Sequence, residues 1–242
     1  MRLYCSVPGY LGVVSTRTAA SLLGAIPRAT SEGILEDCSI NFHGEALINR
    51  CRNVHANQAM RGPYDKLLSI DSDIEFTYED FIRIITSPHP IIGGSYPLKC
   101  LPPVVNFNPL PGKGTELLKS KRGYDYDAFE AFKTKYADAE GIAEVRDLPT
   151  GFLCLDTAVL KKLAETAEVY GDFHQETGAT EGYFDFYPTR VINRELVSED
   201  WGLCHLARSA GYKIMFDTKV ITSHYGNHLY KMGQVFGTLE GV

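Results

Sequence analysis

The sequence predicts an α/β protein in which helices flank a mixed, mostly parallel central sheet. Apolar runs at 2–7, 67–70 and 90–94 alternate with stretches of helical period, which is the βαβ order of a parallel sheet. The run Lys66-Leu67-Leu68-Ser69-Ile70 ends abruptly in Asp71-Ser72-Asp73. Ligands of open α/β sheets gather at the carboxyl ends of strands, so this strand carries two carboxylates to the expected binding edge. With 242 residues, 44% of them hydrophobic, the chain can bury the core that such a sheet needs.

The elements follow in order. Residues 2–7 read as the first strand, broken at Pro8-Gly9-Tyr10-Leu11-Gly12, and 16–25 as a helix with Ala19, Leu22 and Leu23 on one face. A second strand is expected at 33–39. A firmer helix covers 45–60, where Leu47, Ile48, Cys51, Val54 and His55 keep the three-to-four spacing. After the aspartate strand, Thr77 and Asp80 are spaced as a capping box ahead of Phe81, Ile82 and Ile85, and 90–94 is the next strand. Residues 102–114 are rich in Pro and Gly and read as loop. The charged, tyrosine-rich 115–147 is expected to form a surface helix and lid rather than core, and 170–187 a long loop. Between them stand a short strand at 151–155 and a helix at 157–169. Ser198 fits an N-cap, Glu199 and Asp200 suit the first turn of the helix that follows, and Gly211 closes it. Strands at 213–217 and 220–222 then lead into Ser223-His224-Tyr225-Gly226.

A net charge of −6 gives no bulk argument for nucleic-acid or acidic-membrane binding. The basic residues are dispersed, with one modest cluster at Lys119, Lys121 and Arg122. Six cysteines lie far apart without zinc-finger spacing. The N-terminus lacks the signal-peptide pattern, and no window approaches a membrane span. A cytoplasmic protein with reduced thiols is expected, in the host cytoplasm if the chain is viral. Lys113-Gly114-Thr115 is no phosphate loop, because it lacks the earlier glycine and has Gly where Ser or Thr is needed.

Hard divalent cations take oxygen ligands and often recruit one or two protein carboxylates beside substrate phosphates. Asp71 and Asp73 suit that chemistry by position. A second triplet, Asp125-Tyr126-Asp127, follows no apolar strand and reads as an ordinary polar turn. Trp201 beside Glu199 and Asp200 offers a sugar platform next to carboxylates. His224 at a strand end becomes a metal-ligand candidate only where carboxylates converge on it. Gly226 and Asn227 argue against a helical zinc pair with His228.

Seven segments keep one order along nearly the whole chain: Val7-Pro8-Gly9-Tyr10, Leu47-Ile48-Asn49-Arg50-Cys51-Arg52-Asn53, Ile70-Asp71-Ser72-Asp73, Gly93-Gly94-Ser95-Tyr96-Pro97-Leu98-Lys99, Pro149-Thr150-Gly151-Phe152, Ser198-Glu199-Asp200-Trp201 and His224-Tyr225-Gly226. Together they resemble the nucleotide-sugar-dependent glycosyltransferases of the Rossmann-like GT-A fold, close to family 2 and its short viral and bacteriophage members. The resemblance implies one domain over 1–242, with a nucleotide-sugar half at 1–100 and an acceptor half at 101–242. It implies metal-dependent transfer of a hexosyl or pentosyl group from a UDP- or GDP-sugar to an acceptor hydroxyl, with inversion. The acceptor would be a glycan or another molecule, a modified nucleic acid included. Pro8, Tyr10 and Arg52 would line the nucleotide pocket. Asp71 would hold the ribose or assist the metal, and Asp73 and His224 would bind Mn²⁺ or Mg²⁺. Ser72 and Lys99 would join the substrate-binding set. Asp200 would be the general base, Glu199 and Trp201 would position the acceptor, and Thr150 and Gly151 would allow its close approach. Segments 101–147 and 170–190 match nothing in the family and are expected to govern acceptor choice.

Two other readings compete. A nucleotidyltransferase acting on sugar phosphates opens with a glycine-rich basic loop, whereas here no Lys or Arg follows Pro8 until Arg17. A non-catalytic glycan-binding protein of the same fold would be favoured by loss of Asp73 or Asp200, and both are present.

Overall fold

The computed structural model describes residues 1–117, 123–173, 180–226 and 228–233. The Lys119, Lys121 and Arg122 cluster lies outside them. The strands are β1 (Arg2–Pro8), β2 (Asp37–His43), β3 (Lys66–Ile70), β4 (Ile74–Glu75), β5 (Ile91–Ser95), β6 (Asn108–Pro109), β7 (Ile142–Asp147), β8 (Phe152–Asp156), β9 (Val169–Phe173), β10 (Thr180–Phe184), β11 (Arg190–Ile192), β12 (Glu195–Val197), β13 (Ile214–Ile221), β14 (Ser223–Tyr225) and β15 (Leu229–Tyr230). The helices are α1 (Thr16–Ser31), α2 (Ile48–Arg61), α3 (Tyr78–Ile85), α4 (Tyr126–Tyr136), α5 (Thr157–Leu163) and α6 (Glu199–Ser209).

Eight strands form one mixed sheet in the order β2-β1-β3-β8-β5-β13-β7-β6. The pairs β1–β2, β1–β3 and β5–β13 are parallel, and the remaining pairs are antiparallel. All strands but β7 and β8 therefore run one way. The β3-α3-β5 unit is the βαβ pattern read from the sequence, but β8 is wedged between its two strands. Phe152, Leu153, Cys154 and Leu155 of β8 are all buried, as a strand covered on both faces requires. Alternation along β1 shows the two layers: Tyr4 joins one core cluster, while Leu3, Cys5 and Val7 join the other. α3 begins with the expected capping box, Thr77 accepting from Asp80 N and Asp80 accepting from Thr77 N.

Several expectations need correction. β2 starts four residues later than the sequence reading, and α1 continues through Pro27 to Ser31. β13 is one strand where two were read, and α5 stops at Leu163. Residues 170–187 include most of the antiparallel β9–β10 pair, and Tyr183 of β10, Phe186 and Tyr187 are buried. The largest correction concerns 115–147. Tyr124, Phe129, Phe132 and Val145 belong to the core, and Tyr124 stacks on Phe107 with ring centroids 4.4 Å apart. Charges on the exposed side of α4 hid an apolar stripe of Ala128, Phe129 and Phe132, which is the one-turn spacing of a buried helix face. Asp125 caps α4 by accepting from Ala128 N, so the second Asp-x-Asp triplet is a helix start.

Two outcomes follow from this packing. Phe132→Ala should cost about 3–5 kcal/mol in denaturant unfolding, as for other buried aromatics; a lid residue would cost only about 0.5 kcal/mol. His55 is buried and bonds Ser6 Oγ through Nδ1 at 2.6 Å; burial, and then His43, push its pKa down to about 4. The unfolded chain binds that proton near pH 6.5 and the folded one does not, so this contribution is complete above pH 6.5 and lost toward pH 4. Its size is about 3 kcal/mol. His55→Gln should flatten the unfolding free energy across that window, measured by urea titration at each pH.

Candidate active site

The site is built where the carboxyl end of β3 meets the start of β8. Their antiparallel register pairs Ile70 with Phe152, and Asp71 N donates to Gly151 O at 2.9 Å one step further. Gly151 is required there: a Cβ would lie 2.3 Å from Asp71 Oδ2 and 2.5 Å from Tyr96 Oη. Glycine thus lets one backbone close against the other strand's carboxylate.

Arg52, from the second turn of α2, is the centre of this arrangement and is only 3% exposed. Its Nη2 donates to Asp71 Oδ1 at 2.7 Å, and its Nη1 to Glu199 Oε1 at 3.0 Å and to Asp200 Oδ1. Thr150 Oγ1 also donates to Asp200 Oδ1, and Tyr96 Oη to Asp71 Oδ2 at 3.2 Å. Burial opposes the charge on Arg52, yet Asp200 and Asp71 outweigh it and hold the guanidinium firmly protonated. Glu199 is pushed up from the ordinary carboxylate range by burial and then by Asp200. One guanidinium faces three carboxylates, so the cluster remains short of positive charge. Arg52 Nε is buried without a hydrogen-bond partner among the described residues.

A second group forms beside it. The small sheet β15-β14-β4 pairs His224 with Ile74, and Tyr225 N donates to Asp73 O at 2.8 Å. This ladder sets His224 Nε2 3.3 Å from Asp73 Oδ1. The other imidazole nitrogen donates to Pro97 O at 2.9 Å, which turns Nε2 toward the carboxylate. Lys99 Nζ donates to Asp73 Oδ2. Burial raises the Asp73 pKa, but His224 and Lys99 overcome it and hold the group below the ordinary range.

The remaining sequence candidates are distributed around these two groups. Pro8 is buried at the end of β1, and Tyr10 is 68% exposed on the turn that follows. The Ser72 carbonyl accepts from Ser15 N and Thr18 Oγ1, anchoring the start of α1. Trp201 is half-buried in the first turn of α6. Ser198 is the N-cap, though its side chain makes no capping bond; the acids after it turn to Arg52. Arg52, expected to line the nucleotide pocket, has its guanidinium enclosed by carboxylates. Asp71, expected at the ribose or the metal, has both oxygens engaged by Arg52 and Tyr96. Tyr96 received no role from the sequence; its position just past β5, in the segment that also carries Lys99, was the available signal.

Among the described residues, no group of three or more His, Cys, Asp or Glu side chains is placed to hold a metal ion. Asp73 and His224 nevertheless offer one oxygen and one nitrogen from a shared face, and a hard cation completes its shell with water and substrate oxygens. The donor set therefore fits a cation that binds together with a diphosphate. No helix of the described residues is long and apolar enough to cross a membrane.

No family model matches the sequence, and no curated protein matches it. In structure, the chain is similar to the crystal structure of A197 from STIV, with a TM-score of 0.53 and 12% identity over 100% of this chain and 99% of that one. GalNAc-T7, crystallised with UDP, GalNAc and Mn²⁺, gives a TM-score of 0.48 at 11% identity, over 92% of this chain and 43% of its own. The second score carries no argument, and at such identity the first speaks for fold alone. The architecture is α/β, a mixed sheet of eight strands flanked by helices.

Arg52→Gln tests the cluster. Three partly buried carboxylates would lose the counter-charge of a buried guanidinium, a loss of up to about 3–5 kcal/mol, the scale for a buried pair broken on one side. The pKa of Glu199, already raised by burial and by Asp200, would rise further, so the variant's stability should fall as pH rises and recover toward pH 4. Unfolding curves from pH 4 to 8 check both the size and the slope.

Proposed function

We propose that this protein is a glycosyltransferase that moves a sugar from a nucleotide-sugar, a UDP- or GDP-sugar, to an acceptor hydroxyl with inversion. The observation that carries the reading is the convergence of Asp71, Asp73, Thr150, Asp200 and His224 at the carboxyl edge of the sheet. Four segments far apart in sequence meet there, with Asp71, Thr150 and Asp200 gathered at one buried arginine and Asp73 with His224 beside them. Open α/β sheets bind their ligands at this edge, and structural need alone does not call for so many carboxylates in one place.

Asp200 is the proposed base. Arg52 and Thr150 both engage Oδ1, which leaves Oδ2 to take the acceptor proton. As that proton leaves, the acceptor oxygen forms its bond to the anomeric carbon, and the bond from that carbon to the diphosphate breaks. Glu199 and Trp201 flank the acceptor hydroxyl, while Asp71 acts through Arg52 and Tyr96 to fix the position of Asp200. Asp73 and His224 would hold Mn²⁺ or Mg²⁺, which when bound neutralises charge on the departing diphosphate. Lys99, now paired with Asp73, is the residue that can turn to the same phosphates. Pro8 and Tyr10 border the nucleotide, with Ser72 and the Gly151 backbone beside the donor.

Asp200→Asn keeps size and much of the hydrogen bonding but cannot accept a proton. Transfer should fall by at least about 100-fold with donor affinity nearly intact, measured as nucleoside diphosphate release with acceptor and as calorimetric donor binding. Glu199→Gln should cost less; the reverse order would make Glu199 the base. His224→Ala should weaken Mn²⁺ affinity by about 10-fold or more, and full activity in EDTA would sink the metal assignment.

A further inference from the structure

A second cleft, of about 440 Å³, lies along α6 and is lined by Arg146, Arg190, Arg208, His205, Ser209 and an apolar strip that includes Leu206. Its volume falls within the ~300–1,000 Å³ of small-molecule sites. No carboxylate lines it, although the chain as a whole carries a net charge of −6. The acids that pair with these cations lie outside the lining. Asp147, with its side chain 1% exposed, accepts from Arg146 Nε at 2.8 Å and faces His205 Nε2 at 3.4 Å. Arg208 Nη1 is held by Val145 O at 3.4 Å and lies 3.7 Å from Glu144. Arg190, on the β11–β12 hairpin, pairs with the exposed Glu168 at 3.0 Å. Each arginine is thus tethered through part of its fork, the rest of which suits a phosphate.

The cleft and the candidate active site draw on the same two segments of chain. Asp147 is three residues before Thr150, which bonds Asp200, and Gly202, which lines the cleft, is two residues after Asp200. Pro188 O lies 1.9 Å from where a Gly202 Cβ would stand, so the segment leading into the hairpin is seated directly on α6 and closes one side. We propose that this cleft binds the phosphate group of the acceptor, making the acceptor a small phosphorylated molecule whose body rests on the apolar strip. The assignment of the ligand as acceptor rests on the transferase reading above. Single-stranded nucleic acid is disfavoured, because its binding sites offer aromatic stacking platforms and no Phe, Tyr or Trp lines this cleft.

Trp201 is the single tryptophan and sits about one helical turn before His205, so its fluorescence reports on the cleft. The full chain is titrated with a hexose phosphate, the unphosphorylated hexose, inorganic phosphate and a single-stranded oligonucleotide. The hexose phosphate should change the emission, inorganic phosphate should compete with it, and the free hexose should do neither. Arg146→Gln and Arg208→Gln should each weaken binding by at least about 10-fold, with Arg146→Lys losing less. Arg190→Gln, on an exposed hairpin that the core does not need, should weaken binding without altering thermal stability. Unchanged affinity in all three Gln variants overturns the site. So does displacement by a nucleoside diphosphate with Mn²⁺, which would put the phosphate in the donor pocket, or tighter binding of the oligonucleotide. Arg-dependent hexose phosphate binding in a protein that shows no thermal shift with any nucleoside diphosphate and Mn²⁺ overturns the transferase reading, and with it the acceptor role, while the anion site stands.

Discussion

The buried guanidinium of Arg52 is the constraint on which the site's geometry depends. A charge with 3% exposure must be paired, because removing an ion from water costs several kcal/mol even after relaxation. The partners come from the end of β3 and the start of α6, more than 120 residues apart, so satisfying Arg52 fixes those two elements to α2. The arrangement is overcompensated in one direction. Three carboxylates meet one arginine, and burial already lifts Glu199 toward its neutral form. A packed apolar cluster would have held these elements as well, which makes the surplus of acid a property to be explained by use rather than by stability.

Strand β8 supplies the second requirement. A plain βαβ unit would have set β3 beside β5 and left Asp71 facing a parallel neighbour. Inserting β8 in the opposite sense brings its beginning, not its end, to the carboxyl edge of the sheet. Thr150 and Gly151 therefore arrive beside Asp71, and Thr150 reaches Asp200. The same reversal explains why a glycine is needed at 151: the two backbones are hydrogen-bonded at the point where the Asp71 carboxylate turns inward.

What was legible in the sequence was local. Leu67 to Ile70 followed by two aspartates marked the sheet edge, and the Thr77/Asp80 capping box and the α2 stripe marked two helices. Glu199 and Asp200 were legible as a helix start, which they are, but their second duty was not, because it depends on Arg52 across 147 and 148 positions. Residues 124–145 failed for a different reason. Their core contribution is carried by Tyr124, Phe129 and Phe132 among lysines and glutamates, so average polarity pointed outward while the one-turn spacing pointed inward. Tyr96 was hidden because a tyrosine near a strand end has many ordinary uses, and only the fold brings its hydroxyl to Asp71.

The Asp73 pair shows how the two halves of the proposed reaction stay separate. Asp73 leans on Lys99 and His224 and belongs to the small sheet β15-β14-β4, whereas Asp71, two residues earlier, belongs to Arg52 and Tyr96. Alternation along an extended chain sends residues i and i+2 to one side, yet the turn after Ile70 sends these two carboxylates to different partners. One is committed to a buried, permanently charged arginine that no ligand readily displaces. The other is held by an exposed lysine and an imidazole, partners that a cation and a diphosphate can replace. The Asp-x-Asp triplet thereby divides into a fixed half that positions the base and an exchangeable half that can meet the donor, and the difference lies in burial rather than in residue type.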